Sequence, residues 1–395
     1  MSAGSLREWL LDVIARTGPM PVEAFMQHCL MHPQFGYYRT SQAIGAAGDF
    51  ITAPEISQIF GELIGIWTAA AWAGLGAPPR WRLVELGPGR GTLMADLLRA
   101  LKVAPAARAG VDLVLVEVNE RLMEQQRVAL QSSGVTARWL GDAGSLADLE
   151  PLPMVLIANE FLDALPISHK VANGGHWHER CVGFRSPDGP LAFTTPHPVP
   201  LPKGEGMLGE SPSSQSSPLP WGEGQGEGLS FAANPSPLYG TCTAADGTIR
   251  ETMTGAAELI ALLAKLPAPS YHLYIDYGHA GPVFGDTLQA VRNHRYADPL
   301  ATAGEADLSA QVDFAQLADA ARGNGLDAYV PITQAEFLGH LGAAQRLERL
   351  TRGKVAATVH AMQTGLARLM QPNGMGGRFK VLALASKGLA APPVF

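Results

Sequence analysis

The chain has 395 residues with 29 basic and 36 acidic side chains, and its net charge of −7 disfavours a general polyanion-binding protein. An apolar share of 47% excludes wholesale disorder, and the 44 glycines follow no three-residue period, which excludes collagen. Together with 30 prolines they exceed the globular average, which suits a loop-rich enzyme or a chain with a low-complexity insert.

The three cysteines, Cys29, Cys181 and Cys242, lie far apart and form no CxxC pair, which favours a reducing compartment. The first residues lack the basic-then-apolar pattern of a signal peptide, and the apolar stretch at 64–76 is too short to span a bilayer. We therefore expect a cytoplasmic protein, or a mitochondrial matrix protein if the source is eukaryotic, without stable membrane insertion.

Residues 1–80 are predicted to form a helical extension with a lid. Leu6, Leu10 and Ile14 repeat on one helical face, a second helix is expected over 22–32, and Pro54 stands in the first turn of a third. The glycine-rich stretch 45–50 separates the last two helices and is the start of the expected lid.

An alternation of strands and helices begins at Trp81. Strands are expected at 81–86, 111–118, 136–140 and 154–158, with helices at 92–101 and 121–131. The short links are typical of parallel βαβ units, whose sheet is covered on both faces. Residues 81–166 are therefore predicted to form the cofactor-binding half of a doubly wound α/β core.

The core is interrupted after its fourth strand, by an insertion predicted over 167–250. The runs 167–171 and 176–184, joined by Asn173-Gly174-Gly175, predict a hairpin, and the repetitive Gly/Pro-rich segment 195–228 predicts a disordered insert. Residues 251–395 complete the core, with helices at 251–266, 314–323, 333–342 and 344–370 and strands at 271–277, 326–330 and 379–385. The fold class is α/β, Rossmann-like and mostly parallel.

The sharpest motif is the run Glu85-Leu86-Gly87-Pro88-Gly89-Arg90-Gly91-Thr92, which follows a predicted strand and opens a helix. Glycine allows close approach of the backbone to a ligand, and a helix N-terminus offers free N–H groups. The GxGxG spacing with an acidic residue two positions earlier resembles motif I of S-adenosylmethionine-dependent methyltransferases. A plain strand–helix turn is the alternative.

Acidic residues also stand at the ends of the next two predicted strands. Glu117 is placed to accept the ribose hydroxyls of a nucleoside ligand, although a solvated strand-end carboxylate is the alternative. Asp142 could accept a bond from an adenine amino group or could cap the following helix.

The fourth strand ends in Asn159-Glu160-Phe161-Leu162-Asp163, at the edge where ligands bind in this architecture. We expect Asn159, Glu160 and Asp163 to orient a methyl acceptor, since a carboxylate pair suits the planar fork of a guanidinium. Helix capping by Asn159 and Asp163 is the alternative.

Several stretches together resemble the MidA family of methyltransferases, which is related to a mitochondrial complex I assembly factor. The matching stretches are 48–62, 85–93, 159–166, 276–278, 294–295 with 298–299, 307–314, and 375–376 with 379–381. The resemblance implies a class I methyltransferase fold, S-adenosyl-L-methionine as cofactor, and a protein arginine on a core subunit of respiratory complex I as acceptor. The insert at 195–228 departs from the family and removes no motif.

The expected site has three parts. The cofactor-binding residues are Glu85, Gly87, Gly89, Gly91, Thr92, Glu117, Asp142 and Asn159. The catalytic residues are Asn159, Glu160 and Asp163, and the lid and substrate residues are Gly48, Asp49, Phe50, Thr52, Pro54, Glu55, Asp276 and Tyr277. No metal is expected, because His176 with His178, and His28 with Cys29 and His32, lack a usual zinc spacing.

The expected partner is a protein substrate, with a homodimer left open and no nucleic acid. Two alternatives remain at this point. A nicotinamide-dependent oxidoreductase would need GxGxxG and an acidic residue about 20 positions further on. A non-catalytic complex I assembly chaperone would keep the methyltransferase fold only as a scaffold.

Overall fold

The computed structural model describes residues 4–40, 52–184, 189–195, 239–241, 243–281 and 283–395. The predicted lid residues Gly48, Asp49 and Phe50, and positions 196–228 of the predicted insert, lie outside the described residues.

The helices follow one another along the chain as α1 (Leu6–Thr17), α2 (Val22–Met31), α3 (Tyr37–Thr40), α4 (Ala53–Ile56), α5 (Gln58–Gly74), α6 (Thr92–Ala100), α7 (Pro105–Ala109), α8 (Glu120–Leu130), α9 (Thr254–Leu263), α10 (Phe314–Gly323), α11 (Gln334–His340), α12 (Ala343–Thr351), α13 (Ala356–Met370) and α14 (Met375–Arg378). None of those in the described part of the chain is long and apolar enough to cross a bilayer.

The strands are β1 (Met20–Pro21), β2 (Trp81–Leu86), β3 (Val111–Val116), β4 (Ala137–Leu140), β5 (Met154–Asn159), β6 (Ser168–Asn173), β7 (His176–Glu179), β8 (Cys181–Phe184), β9 (Leu191–Thr194), β10 (Tyr239–Thr241), β11 (Ile249–Thr252), β12 (Ser270–His279), β13 (Gln289–Arg292), β14 (Arg295–Ala297), β15 (Asp307–Ser309), β16 (Val312–Asp313), β17 (Leu326–Ala328), β18 (Ile332–Thr333) and β19 (Phe379–Ser386).

The central sheet has the strand order β17-β19-β12-β5-β2-β3-β4. Strands β4, β3, β2, β5 and β12 run parallel to one another, whereas β19 pairs with β12 and β17 pairs with β19 in the antiparallel sense. The register places Leu86 opposite both Val116 and Ala158. The carboxyl ends of the parallel strands therefore meet along one edge of the sheet.

Both faces of this sheet are covered. Every residue of β2 and of β5 is buried, as the continuous apolar runs of a parallel sheet require. Leu83 and Ile157 pack on one face with residues of α5 and α6, and Val84 and Leu156 pack on the other with residues of α9 and α10. This burial holds the strand ends, and the polar residues that follow them, in fixed positions.

The insertion after β5 forms small sheets beside the core. The predicted hairpin is confirmed as β6 and β7, whose turn has Gly174 and Gly175 at positive φ. These strands join a sheet of order β10-β7-β6-β11, while β8 pairs with β1 of the N-terminal extension on one side and with β9 on the other. The extension is therefore tied to the insertion by a strand that periodicity did not predict.

Several predicted boundaries differ from the structure. Strand β3 ends at Val116 rather than 118, so Glu117 lies just beyond it, and the run 176–184 is broken into β7 and β8. Residues 249–252 form β11 against β6 instead of beginning a helix at 251, because long-range pairing outweighs local propensity. The helix expected over 344–370 divides into α12 and α13, with Gly353 at φ 72° between them.

Gly278 lies at the end of β12, where the short strand β16 pairs beside it. A Cβ atom on Gly278 would lie 2.0 Å from the carbonyl oxygen of Val312, which is backbone and cannot move aside cheaply. Glycine at this position therefore allows β16 and the following helix α10 to dock against the strand that carries Asp276.

We expect Gly278→Ala to lower the free energy of unfolding by about 1–3 kcal/mol, the usual cost of overpacking. Urea denaturation followed by circular dichroism measures this. Gly281→Ala is the matched control, because a Cβ atom there meets nothing within 4 Å among the described residues. Equal stability of the Gly278 variant and wild type would contradict the crowding argument.

Candidate active site

The glycine-rich loop leaves the sheet directly after β2. Gly87, Gly89 and Gly91 have φ angles of 62°, 55° and 81°, in the left-handed region that favours glycine, and α6 begins at the next residue, Thr92. A Cβ atom on Gly87 would lie 2.7 Å from a ring carbon of Phe161. The predicted motif thus forms a tight turn at the carboxyl edge of the sheet, beside the loop that follows β5.

Two buried acceptors near this turn have no hydrogen-bond donor among the described residues. They are Oε2 of Glu85, on β2, and Oδ1 of Asn159, at the end of the neighbouring strand β5. Removal from water, and then the charge of Glu117, raise the pKa of Glu85 to about 8. Unpaired buried acceptors are costly, so this corner of the site favours a ligand that carries donors and positive charge.

Glu117 is 7% exposed and lies at the same edge, as predicted. Its Oε1 accepts the backbone N–H groups of Val118 and Asn119, both at 2.9 Å, and its Oε2 accepts Nε2 of Gln126 at 3.0 Å. Burial raises the pKa of Glu117, and these donors oppose that rise. The carboxylate is therefore held in one orientation with acceptor capacity left over.

Asp142 lies after β4 and makes the contacts of a cap. Its Oδ1 accepts the backbone N–H of Ser145 at 2.9 Å, and its Oδ2 accepts the Ser145 hydroxyl at 2.8 Å. The capping alternative thus matches this geometry, and a role toward an adenine stays a prediction.

Glu160 follows β5 in a strained conformation, with φ at 52° in a non-glycine residue. Its Oε1 accepts the backbone N–H of Ala53 at 2.8 Å and Nδ2 of Asn159 at 3.1 Å. Removal from water raises the pKa of Glu160 to about 7. The Glu160 carboxylate lies at the sheet edge, and its hydrogen bond with Ala53 joins it to the N-terminal extension.

The part of the predicted lid that is described is anchored to the same edge. Glu55 accepts the hydroxyl of Thr92 at 2.5 Å through Oε1 and pairs with Arg90 at 3.3 Å through Oε2. Thr52 precedes α4, and Pro54 is buried within it. The segment that ends the predicted lid therefore contacts the glycine-rich loop directly.

Asp163 and Tyr277 form the other side of the site. Removal from water raises the pKa of Asp163 to about 6, and a hydrogen bond with Tyr277 opposes that rise. The Tyr277 hydroxyl lies 2.6 Å from Oγ of Ser309 and accepts Nε2 of Gln289 at 3.0 Å. The sheet of β13, β14 and β15, which was not predicted, thus supports the side chain that contacts Asp163.

Asp276 lies at the end of β12 and is fully buried. Its Oδ2 accepts the backbone N–H groups of Phe161, Leu162 and Asp163 at 2.9–3.2 Å, and its Oδ1 accepts that of Tyr277 at 2.9 Å. Its carboxylate therefore shapes the loop that carries the two acidic residues after β5.

Sequence reasoning missed Tyr38 and Asn119, two residues that link separate segments beside the site. Tyr38, on α3, donates its hydroxyl to Oδ1 of Asp307 at 2.9 Å, and its carbonyl accepts Nδ2 of Asn119 at 2.8 Å. Asn119 also caps α8. An Asn before a helix was a readable capping signal, but its contact with an extension some 80 residues away depends on the fold alone.

Two of the histidines that we did not expect to bind a metal, His28 and His32, pack against an aromatic ring. His28 and His32 lie edge-on to Trp9, with ring centroids 4.6 and 4.8 Å apart. His169, Glu251 and Asp286 also converge within 4.8 Å. There Nη1 of Arg180 lies 3.0 Å from Nδ1 of His169 and 2.7 Å from Oδ2 of Asp286, so a guanidinium already supplies the positive charge.

Known proteins resemble this chain over most of its length. A family model described as "Putative S-adenosyl-L-methionine-dependent methyltransferase" matches residues 63–332. The mitochondrial protein arginine methyltransferase NDUFAF7 homolog of Drosophila melanogaster is 33% identical over 98% of this chain and 86% of its own. Human mitochondrial protein arginine methyltransferase NDUFAF7 is 31% identical over 95% of this chain and 82% of its own.

A solved structure agrees with the fold. The Burkholderia thailandensis protein described as a "likely methyl transferase", bound to S-adenosyl-homocysteine, superposes with a TM-score of 0.76. The two chains are 24% identical, and the match covers 98% of this chain and 93% of the other.

The sheet order and the glycine-rich loop form a class I methyltransferase fold, as the sequence predicted. The chain belongs to the methyltransferase family whose model it matches, which confirms the resemblance drawn from its motifs. It is therefore an S-adenosylmethionine-dependent enzyme, and the nicotinamide-dependent alternative is excluded.

Proposed function

We propose that the protein is an arginine N-methyltransferase that modifies a core subunit of respiratory complex I and supports its assembly. The observation that carries the proposal is the pair Glu160 and Asp163, two carboxylates with raised pKa values after β5, beside the glycine-rich loop. Relatives named protein arginine methyltransferases, 31–33% identical over nearly the whole chain, support the acceptor. The resemblance to the MidA family supports the partner and a mitochondrial or cytoplasmic compartment.

The described residues fit the cofactor. Oε2 of Glu85 and Oδ1 of Asn159 are buried acceptors without donors, and the ammonium group of a bound methionine moiety would satisfy them. Glu117 has one lone pair left, on Oε2, for a ribose hydroxyl, and Gly87, Gly89 and Gly91 let backbone approach the ligand. When bound, S-adenosylmethionine supplies a methyl group on a sulfonium centre.

The acceptor would lie against Glu160 and Asp163. Their carboxylates would hold the guanidinium by paired hydrogen bonds and direct one nitrogen toward the methyl group of a bound cofactor. Glu160, whose pKa of about 7 suits a proton acceptor near neutral pH, would take the proton that this nitrogen loses. Alignment of this kind supplies about 7–11 kcal/mol of a barrier.

A test of the cofactor site uses the pH dependence of binding. The raised pKa of Glu85, about 8, means that its carboxyl is largely protonated at pH 6 and must ionise to pair with an ammonium group. We therefore expect wild type to bind S-adenosylhomocysteine more tightly as pH rises from 6 to 8, by up to about 10-fold per unit. Isothermal titration calorimetry measures this.

In Glu85→Gln we expect affinity to fall about 10-fold or more at pH 8 and the gain between pH 6 and 8 to disappear. The exposed Glu120→Gln on α8 is the matched control and should keep both the affinity and the pH trend. A Glu85 variant with the wild-type pH trend would contradict the assigned role.

A test of the acceptor site removes the charge of Glu160. We expect Glu160→Gln to lower methylation of an arginine peptide from the complex I subunit at least about 100-fold, because the guanidinium and its proton lose their partner. Cofactor affinity should stay within about 2-fold of wild type. In wild type the rate should fall as pH drops below 7, since the ionised carboxylate is the active form.

The exposed Glu258→Gln on α9 controls for a general loss of charge and should retain full activity. Unchanged turnover of Glu160→Gln would overturn the role of this carboxylate.

The substrate is tested in cells. In a deletion strain, mass spectrometry of respiratory complex I should show the loss of a methyl-arginine, and the wild-type gene should restore it. Restored assembly by a variant that cannot bind cofactor would instead support the assembly chaperone alternative. An unchanged methylation pattern in the deletion strain would contradict the proposed acceptor.

A further inference from the structure

Gln126 stands on the buried face of α8, in line with Leu122 and Leu130. This stripe is otherwise apolar, and the side chain is 0% exposed, so a polar residue here must have its hydrogen bonds met inside the protein. A Cβ atom on Gly91 would lie 3.1 Å from Cα of Gln126, so the glycine-rich loop packs directly on this residue.

The amide of Gln126 uses both of its donor hydrogens and its oxygen. Nε2 donates to the carbonyl oxygen of Gly89 at 2.7 Å and to Oε2 of Glu117 at 3.0 Å. Oε1 accepts Nε1 of Trp139 at 2.7 Å. A flipped amide would place oxygen against oxygen at Gly89 and Glu117 and two N–H donors against each other at Trp139, so only one orientation is compatible.

One side chain therefore joins three strand ends: the loop after β2, the carboxylate after β3, and strand β4. The two acceptors that it binds are both at the proposed cofactor site, and a single NH₂ group bridges them. We propose that Gln126 is a positioning residue that holds Glu117 in the orientation in which its remaining lone pair receives a ribose hydroxyl. This inference rests on the proposed ribose role of Glu117 and is independent of the methyl acceptor.

The experiment combines variants of the chain with a change in the ligand. Dissociation constants are measured by calorimetry at pH 8 for S-adenosylhomocysteine and for its analogue without the two ribose hydroxyls. The variants are Gln126→Leu, which removes the bridging donor, Gln126→Glu, which keeps the shape and an acceptor for Trp139, and Glu117→Gln. Gln125→Leu is the matched control, since Gln125 is the exposed neighbour on α8.

We expect Gln126→Leu and Gln126→Glu to weaken S-adenosylhomocysteine about 10-fold or more, as loss of an outer partner commonly does, and the analogue less than about 2-fold. Gln125→Leu should change neither value. A merely structural role would weaken both ligands equally, so equal losses, or no loss, would overturn the proposal. The Gln126→Glu protein provides the result if the leucine variant does not fold.

The Glu117→Gln protein separates the positioning role of Gln126 from the ribose role of Glu117 on which it rests. If that variant still distinguishes the two ligands as wild type does, the ribose role of Glu117 fails, and the role of Gln126 fails with it. If Glu117→Gln loses the distinction but both Gln126 variants keep it, only the positioning role fails. Because no acceptor is present, neither result depends on arginine methylation.

Discussion

The site depends on one electrostatic constraint: parallel strands bring several carboxylates to a single sheet edge that has little water. Glu85, Glu117, Glu160 and Asp163 all have pKa values raised by burial there, and the charge of Glu117 adds to the rise at Glu85. Such a cluster is unfavourable by itself. Ligands that carry positive charge, as the cofactor and the acceptor of the proposed function do, would make this cluster favourable.

The two parts of the proposed site, for cofactor and for acceptor, are formed by different parts of the chain. The glycine-rich loop, Glu85 and Glu117 belong to the core βαβ units. The region proposed for the acceptor is held partly by segments added to the core, through the contacts of Ala53 with Glu160, of Tyr38 with Asp307, and of Tyr277 with Ser309. In that proposal, different segments position the cofactor and the acceptor.

Local patterns predicted the core accurately. Strand β2 was predicted with its observed bounds, and β5 and β19 to within a residue, because continuous apolar runs between turn residues depend only on neighbours in the chain. Strand β11 and the sheet of β13, β14 and β15 were not predicted, because their pairing depends on residues distant in sequence. The break between α12 and α13 at Gly353 was not predicted.

The sequence by itself determined the fold class, the family, the cofactor and the position of the glycine-rich loop, since each is written in residue types at short spacing. Only the tertiary structure decided which polar groups are buried without donors, how Asp276 shapes the loop after β5, and that Gln126 bridges Gly89 and Glu117. Burial and hydrogen-bond geometry are properties of segments brought together by packing. No pattern along one segment contains them.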